Sequence, residues 1–155
     1  MDPYLVADTL VQRSGNAMSE ASFDALRRCF HLPYKFSTFE KERVITSEEE
    51  FRTLFDDAVE TAQLDNITAC IRTLDTAHLS EPDTIVALHS SHYFSGSLRK
   101  GEPVNVLSTI TFENNEWRVS VSSYAIHPAS LRAKALNGHL RSQENTNARA
   151  ARVSN

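Results

Sequence analysis

The sequence predicts an α+β domain with a small N-terminal helical layer, one long helix and an antiparallel sheet. Two observations carry this. Apolar residues recur at helical spacing up to about residue 64, and from Asn66 the period changes to two and stays there to residue 126. A sheet with one apolar face then needs a helical layer to cover it.

The first helix starts at Asp2-Pro3. Aspartate is a favoured N-cap, and proline suits the first helical position because its missing N–H would be unpaired there anyway. Val6 with Leu10 and Ala7 with Val11 supply the buried stripe, and Gly15 is read as the stop. A second helix is predicted from Ser19, with Phe23, Leu26 and Phe30 as its stripe, ended by Pro33. Tyr34 to Phe39 and Arg43 to Thr46 read as a short hairpin. Ser47 and Glu50 then form a capping box ahead of Phe51, Leu54, Phe55, Ala58 and Ala62, and Glu48 and Glu49 favour the first turn through the helix dipole. The acidic run is therefore assigned to helix initiation rather than to a metal.

Four strands follow: Ile67 to Asp75, Thr84 to Phe94, Val104 to Phe112 and Trp117 to Ile126. Glu81-Pro82-Asp83, the polar loop Gly96 to Pro103 and the tight turn Asn114-Asn115 join them into a meander. Taking Ile67, Ala69 and Ile71 as the inward phase of the first strand places Thr73, Asp75, Ser90, His92, Ser108 and Ser123 inside. Trp117, Val119 and Val121 of the last strand are inward too, and Tyr34 and Phe36 enter from the hairpin. Arg72, Leu74, Ile85, Ala87, His89, Tyr93, Leu107 and Tyr124 then fall on the outer face. That set is too apolar for a wholly solvated surface and points to a homodimer face.

The chain has 155 residues, 41% hydrophobic and 23% charged, and a net charge of −4. Residues 1–127, read as one domain, hold 11 basic and 19 acidic side chains. Residues 128–155, read as a basic extension, hold five and one. A weak helix is predicted over 129–141, disfavoured at Gly138, and the segment from Ser142 has the composition of an unfolded tail. The acidic body argues against nucleic acid as a partner. Four glycines cannot supply a dinucleotide fingerprint, and Glu102-Pro103 replaces the Lys-Ser/Thr of a P-loop. No cofactor and no metal is expected: His89 and His92, three apart on a strand, face opposite ways. Cys29 and Cys70 read as buried, reduced thiols. The absence of a secretory-type leader and of a long apolar run points to a cytoplasmic protein with no membrane partner.

Phe30-x-x-Pro33-Tyr34, Val44-Ile45-Thr46-Ser47 leading into the Phe51 helix, and Glu116-Trp117-Arg118-Val119 opening the final strand resemble the NTF2-like superfamily, including the SnoaL-like proteins. The resemblance covers residues 2–126 and implies a cone whose wide end holds a pocket, with Tyr34, Phe36, Thr73, Ser90, Ser108, Trp117 and Ser123 lining it. It also implies three functional options: binding of a small apolar molecule, isomerase or dehydratase chemistry, or a pure interaction module. The ketosteroid isomerase pattern puts Thr38 and Ser108 where that family has acids, and neither is one. The scytalone dehydratase pattern of an aspartate with histidines implies Asp75 and His92 as an acid–base pair, with His31 nearby.

Overall fold

A computed structural model describes residues 1–126 and 130–138 of the chain. Helices α1 (Pro3–Ser19), α2 (Phe23–Arg27) and α3 (Glu48–Leu64) lie against a curved seven-stranded sheet. The strands are β1 (Phe30–Ser37), β2 (Glu42–Ile45), β3 (Ala69–Glu81), β4 (Thr84–Ser95), β5 (Leu98–Arg99), β6 (Val104–Glu113) and β7 (Glu116–Ala125). They are ordered β2-β1-β7-β6-β4-β3, with the short β5 on β4. The β3–β4–β6–β7 meander is antiparallel as predicted, but β1 joins β7 in parallel, so the sheet is mixed.

The caps behave as their chemistry requires. The Asp2 carboxylate accepts from the Tyr4 N–H at 2.9 Å, and Ser47 Oγ accepts from the Glu50 N–H at 3.1 Å. Asn114 and Asn115 both adopt positive φ, which lets a two-residue turn join β6 to β7. Gly15, read above as a stop, sits inside α1, which runs on to Ser19. A Cβ there would lie 3.4 Å from Arg72 Cγ, an ordinary contact, so α1 rests against β3 at this position. Ser19 ends α1 rather than starting α2. Its hydroxyl pairs with the backbone of Cys70, and Ser22 caps α2 instead.

Within the layer between helices and sheet, the rings of Phe23, Phe30, Tyr34, Phe36, Phe51 and Phe55 make a continuous aromatic core. A short helix, α4 (Leu131–Leu136), completes this layer. Ala133 packs with Val104, Val106 and Ile126, and Leu136 reaches the aromatic core. Arg43 Nη1 donates to the Leu136 carbonyl at 2.6 Å, and Thr38 Oγ1 donates to Asn137 Oδ1 at 2.6 Å. Gly138, at φ +76°, follows as the left-handed residue that ends the helix. The predicted extension is thus packed on the body over 130–138. The tail from Ser142 lies outside the described residues.

Candidate functional site

The strands place their side chains with a phase opposite to the one predicted for much of the meander. On β3 the inward residues are Cys70, Arg72 and Leu74, while Ile71 is 50% exposed. The expectation takes Ile67, Ala69 and Ile71 as the inward phase, and a slip of one residue exchanges every side chain on a strand. In β4 the buried side is Ile85, Ala87, His89 and Ser91. Register then carries this face across the sheet: Leu74, His89, Val106 and Tyr124 form one inner row, and Ala87, Ser108, Ser122 and Phe36 the next.

Two bulges break the period of two on which the phase was counted. Asp75 is the extra residue between the Leu74–His89 and Thr76–Leu88 pairs. Ser120 is the extra residue between Val119 and Val121, so Val119 and Ser122 face inward and Val121 does not.

These facts correct the candidate residues one by one. Arg72, Leu74, His89, Tyr93 and Tyr124, expected on an outer dimer face, belong to the interior. Leu107 alone of that set is on the outer face, at 48% exposure. Thr73, Asp75, Ser90, His92 and Ser123, expected inside, belong to the outer face. There Ser90 Oγ donates to Asp75 Oδ2 at 3.1 Å and lies 2.9 Å from Asn105 Oδ1. Thr73 Oγ1 meets His92 Nε2 at 3.3 Å, and Ser123 Oγ meets Ser37 Oγ at 3.2 Å. Asp75 and His92 therefore engage different neighbours, and neither lines the interior cavity. His31 is buried with Nε2 3.0 Å from the Thr111 carbonyl oxygen, far from an acid–base role with Asp75. Trp117 meets Phe112 at a tilt of 45° and borders an open polar cleft with Arg13, Arg28 and Arg118, not the interior cavity. Tyr34 lines the cavity, Phe36 packs behind it on Tyr34 and Tyr124, and Ser108 is interior.

The cavity measures about 130 Å3. Leu26, Phe30, Phe51, Leu54 and Phe55 give it apolar walls. Ala58 and Ala62 leave room on the α3 side, and Ala135 and Leu136 of α4 border it. Its polar end is Arg72, Tyr34, Tyr93 and Tyr124, with Ser19, Thr68 and Cys70 on the β3 edge.

Behind Arg72 and Tyr124 is a void of about 20 Å3, bounded by Ser14, His89, Ser108 and Ser122, roomy enough for about one water. The groups around it form a chain. His89 Nε2 meets Ser108 Oγ at 3.1 Å, Ser108 Oγ meets Ser122 Oγ at 3.3 Å, and Tyr34 and Tyr124 share a 3.3 Å hydroxyl contact. Ser122 also bonds Tyr34, joining the two parts.

Burial, seconded by the Arg72 charge, pushes the His89 imidazole down to about 3, so it is neutral at pH 7. Burial likewise raises the Tyr34 hydroxyl well above its ordinary value, followed by the influence of Tyr124, and it stays a neutral phenol. Among the described residues no cluster of His, Cys, Asp or Glu could hold a metal ion, and no helix is long and apolar enough to cross a membrane.

This architecture is that of the NTF2-like, or cystatin-like, cone. A domain of unknown function from Nostoc punctiforme with a cystatin-like fold superposes with a TM-score of 0.67 at 12% identity, covering 98% of this chain and 96% of that one. An NTF2-like protein from Novosphingobium aromaticivorans gives 0.62 at 19% identity, with 86% and 88% covered. A ketosteroid isomerase-like protein from Erwinia carotovora atroseptica gives 0.61 at 8% identity, with 80% and 95% covered. At these identities the likeness is one of fold. No protein-family model matches the chain, and no curated protein does.

Proposed function

We propose that the protein binds a small organic molecule with an apolar body inside the cone, without a cofactor. The observation that supports this is the 130 Å3 cavity, apolar on its walls and polar at one end. A cavity of about 150 Å3 is enough for a single aromatic ring. The Ala58 and Ala62 side chains hold the space open, where larger residues on the same face of α3 would close it. Native mass spectrometry of the freshly purified full chain tests the reading. A retained adduct of small mass is expected in the natural sequence and absent from Ala58→Leu, with the melting temperature of the variant not lowered. An adduct unchanged in Ala58→Leu would place the ligand elsewhere and end the proposal.

The second copy expected on the outer sheet face remains a proposal, with a changed set of residues. Ile71, Leu88 and Leu107 are the exposed apolar side chains there, beside Phe39 and a shallow cleft floored by Ser37, Asn105 and Ser123. The dehydratase-like alternative has lost its support, because Asp75 and His92 are outside the cavity.

A further inference from the structure

Arg72 is the cation lining the cavity, and among the described residues no acid forms an ion pair with it. The ion pairs among the described residues are Arg27–Glu48, Lys35–Glu42, Arg52–Asp56 and Arg118–Glu116, all elsewhere. The guanidinium spends Nη1 on the Ser14 hydroxyl at 2.7 Å, and Cys70 is its other side-chain partner. Its Nε is buried without a hydrogen-bond partner. Arg72 is half-buried and lines the cavity.

A charge held away from water without a counter-charge is unfavourable. A histidine can escape that penalty by shedding its proton, as His89 does here. An arginine cannot, because its guanidinium stays charged under all ordinary conditions. The side chains around it are hydroxyls and a thiol, not carboxylates: Ser14, Cys70, Tyr93 and Tyr124. The cavity thus combines apolar walls with one fixed positive charge and donors left unused.

Resting on the cavity-binding reading above, we propose that the ligand is a monocarboxylate whose carboxylate pairs with Arg72 and whose apolar body lies against Leu26, Leu54 and Phe55. Guanidinium and carboxylate are planar and match through paired N–H···O bonds. One fixed cation balances one negative charge, so a monoanion fits better than a phosphate dianion. The single-ring size of the cavity limits the body to an aromatic ring or a short alkyl chain.

The test compares acids with their amides, which keep the shape and remove the charge. Benzoate, phenylacetate and octanoate are titrated into the full chain by calorimetry alongside benzamide, phenylacetamide and octanamide. At least one acid is expected to bind ten-fold or more tightly than its amide. That preference is expected to vanish in Arg72→Met, which still binds the amide, and to persist in Arg72→Lys. Should Arg72→Met fail to fold by circular dichroism, Arg72→Lys and the natural chain still decide through the acid-to-amide ratio. Equal binding of acid and amide by the natural chain would overturn the carboxylate proposal and leave the apolar-cavity reading standing. Binding of neither series would overturn both.

Discussion

At the scale of single residues, the interior of this cone is polar where the sequence reads as surface. His89, Ser91, Ser108 and Ser122 are buried in the sheet, and Arg72 stands among them. Alternation shows that β3 and β4 have two faces but not which one is inward. Ile67, Ala69 and Ile71 read as the inward set, but the structure buries the side on which His89 Nε2, Ser108 and Ser122 hydrogen-bond in a chain.

The buried imidazole has a measurable consequence. Its folded pKa, near 3, lies below the unfolded value of about 6.5, so the unfolded chain binds more protons between those limits. Its stabilising contribution is complete above pH 6.5 and is lost as pH falls toward 3. At about 1.4 kcal/mol per pH unit, the loss over the two units from pH 6.5 to 4.5 is roughly 3 kcal/mol. Urea midpoints measured at pH 7.0 and 4.5 are expected to fall less in His89→Gln than in the natural chain. An equal fall in both would show that His89 does not govern the acid response.

At the scale of elements, the boundaries followed from caps and turn residues, whose chemistry is local and can be read from the chain. Asp2, Ser47 and Asn114-Asn115 behave this way. Gly15 and Ser19 do not, because their roles are contacts with Arg72 and Cys70 that depend on β3 being present. The distance at Gly15 is that of an ordinary contact. Gly15→Ala is therefore expected to raise stability by up to about 1 kcal/mol, the usual helix-interior preference for alanine. A bulkier Gly15→Leu is expected to lower the melting temperature by prising α1 from β3. A destabilised Gly15→Ala would show that the approach of α1 to β3 is tighter than 3.4 Å implies.

The docking of α4 was legible only as a weak periodicity, since its partners Thr38, Glu40 and Arg43 are about 90 residues away or more. Asn137 is almost wholly buried and bonds both Thr38 and Glu40. Asn137→Ala removes both hydrogen bonds, one of them to a carboxylate, at about 1–3 kcal/mol. Limited proteolysis is expected to cut near residue 130 faster in this variant than in the natural chain. The docking rests on Ala133, Ala135, Leu136 and hydrogen bonds, so protection of this segment is expected to hold in high salt. Release by salt alone would mean that the basic charge of residues 128–155 does the holding.

At the scale of the molecule, the cone was legible from element order and from the resemblance, while its two faces were not. The two bulges at Asp75 and Ser120 explain much of this, because a one-residue insertion resets the count for all that follows. The correction moves the proposed dimer contact from Arg72, His89 and Tyr124 to Ile71, Leu88 and Leu107. Sedimentation of the natural chain is expected to show a dimer that Leu107→Arg converts to a monomer. A monomeric natural chain would remove the dimer from the account.

The central claim is that ligands enter between α3 and the inner face of the sheet. Chemical-shift mapping of the full chain by NMR during titration with phenylacetate examines this most directly. The predicted result is a set of shifts confined to cavity-lining positions such as Leu54, Cys70, Arg72, Tyr93 and Tyr124, with Thr73, Ser90, His92 and Ser123 on the opposite face unmoved. Shifts concentrated on those outer-face residues, or none at saturating phenylacetate, would contradict it.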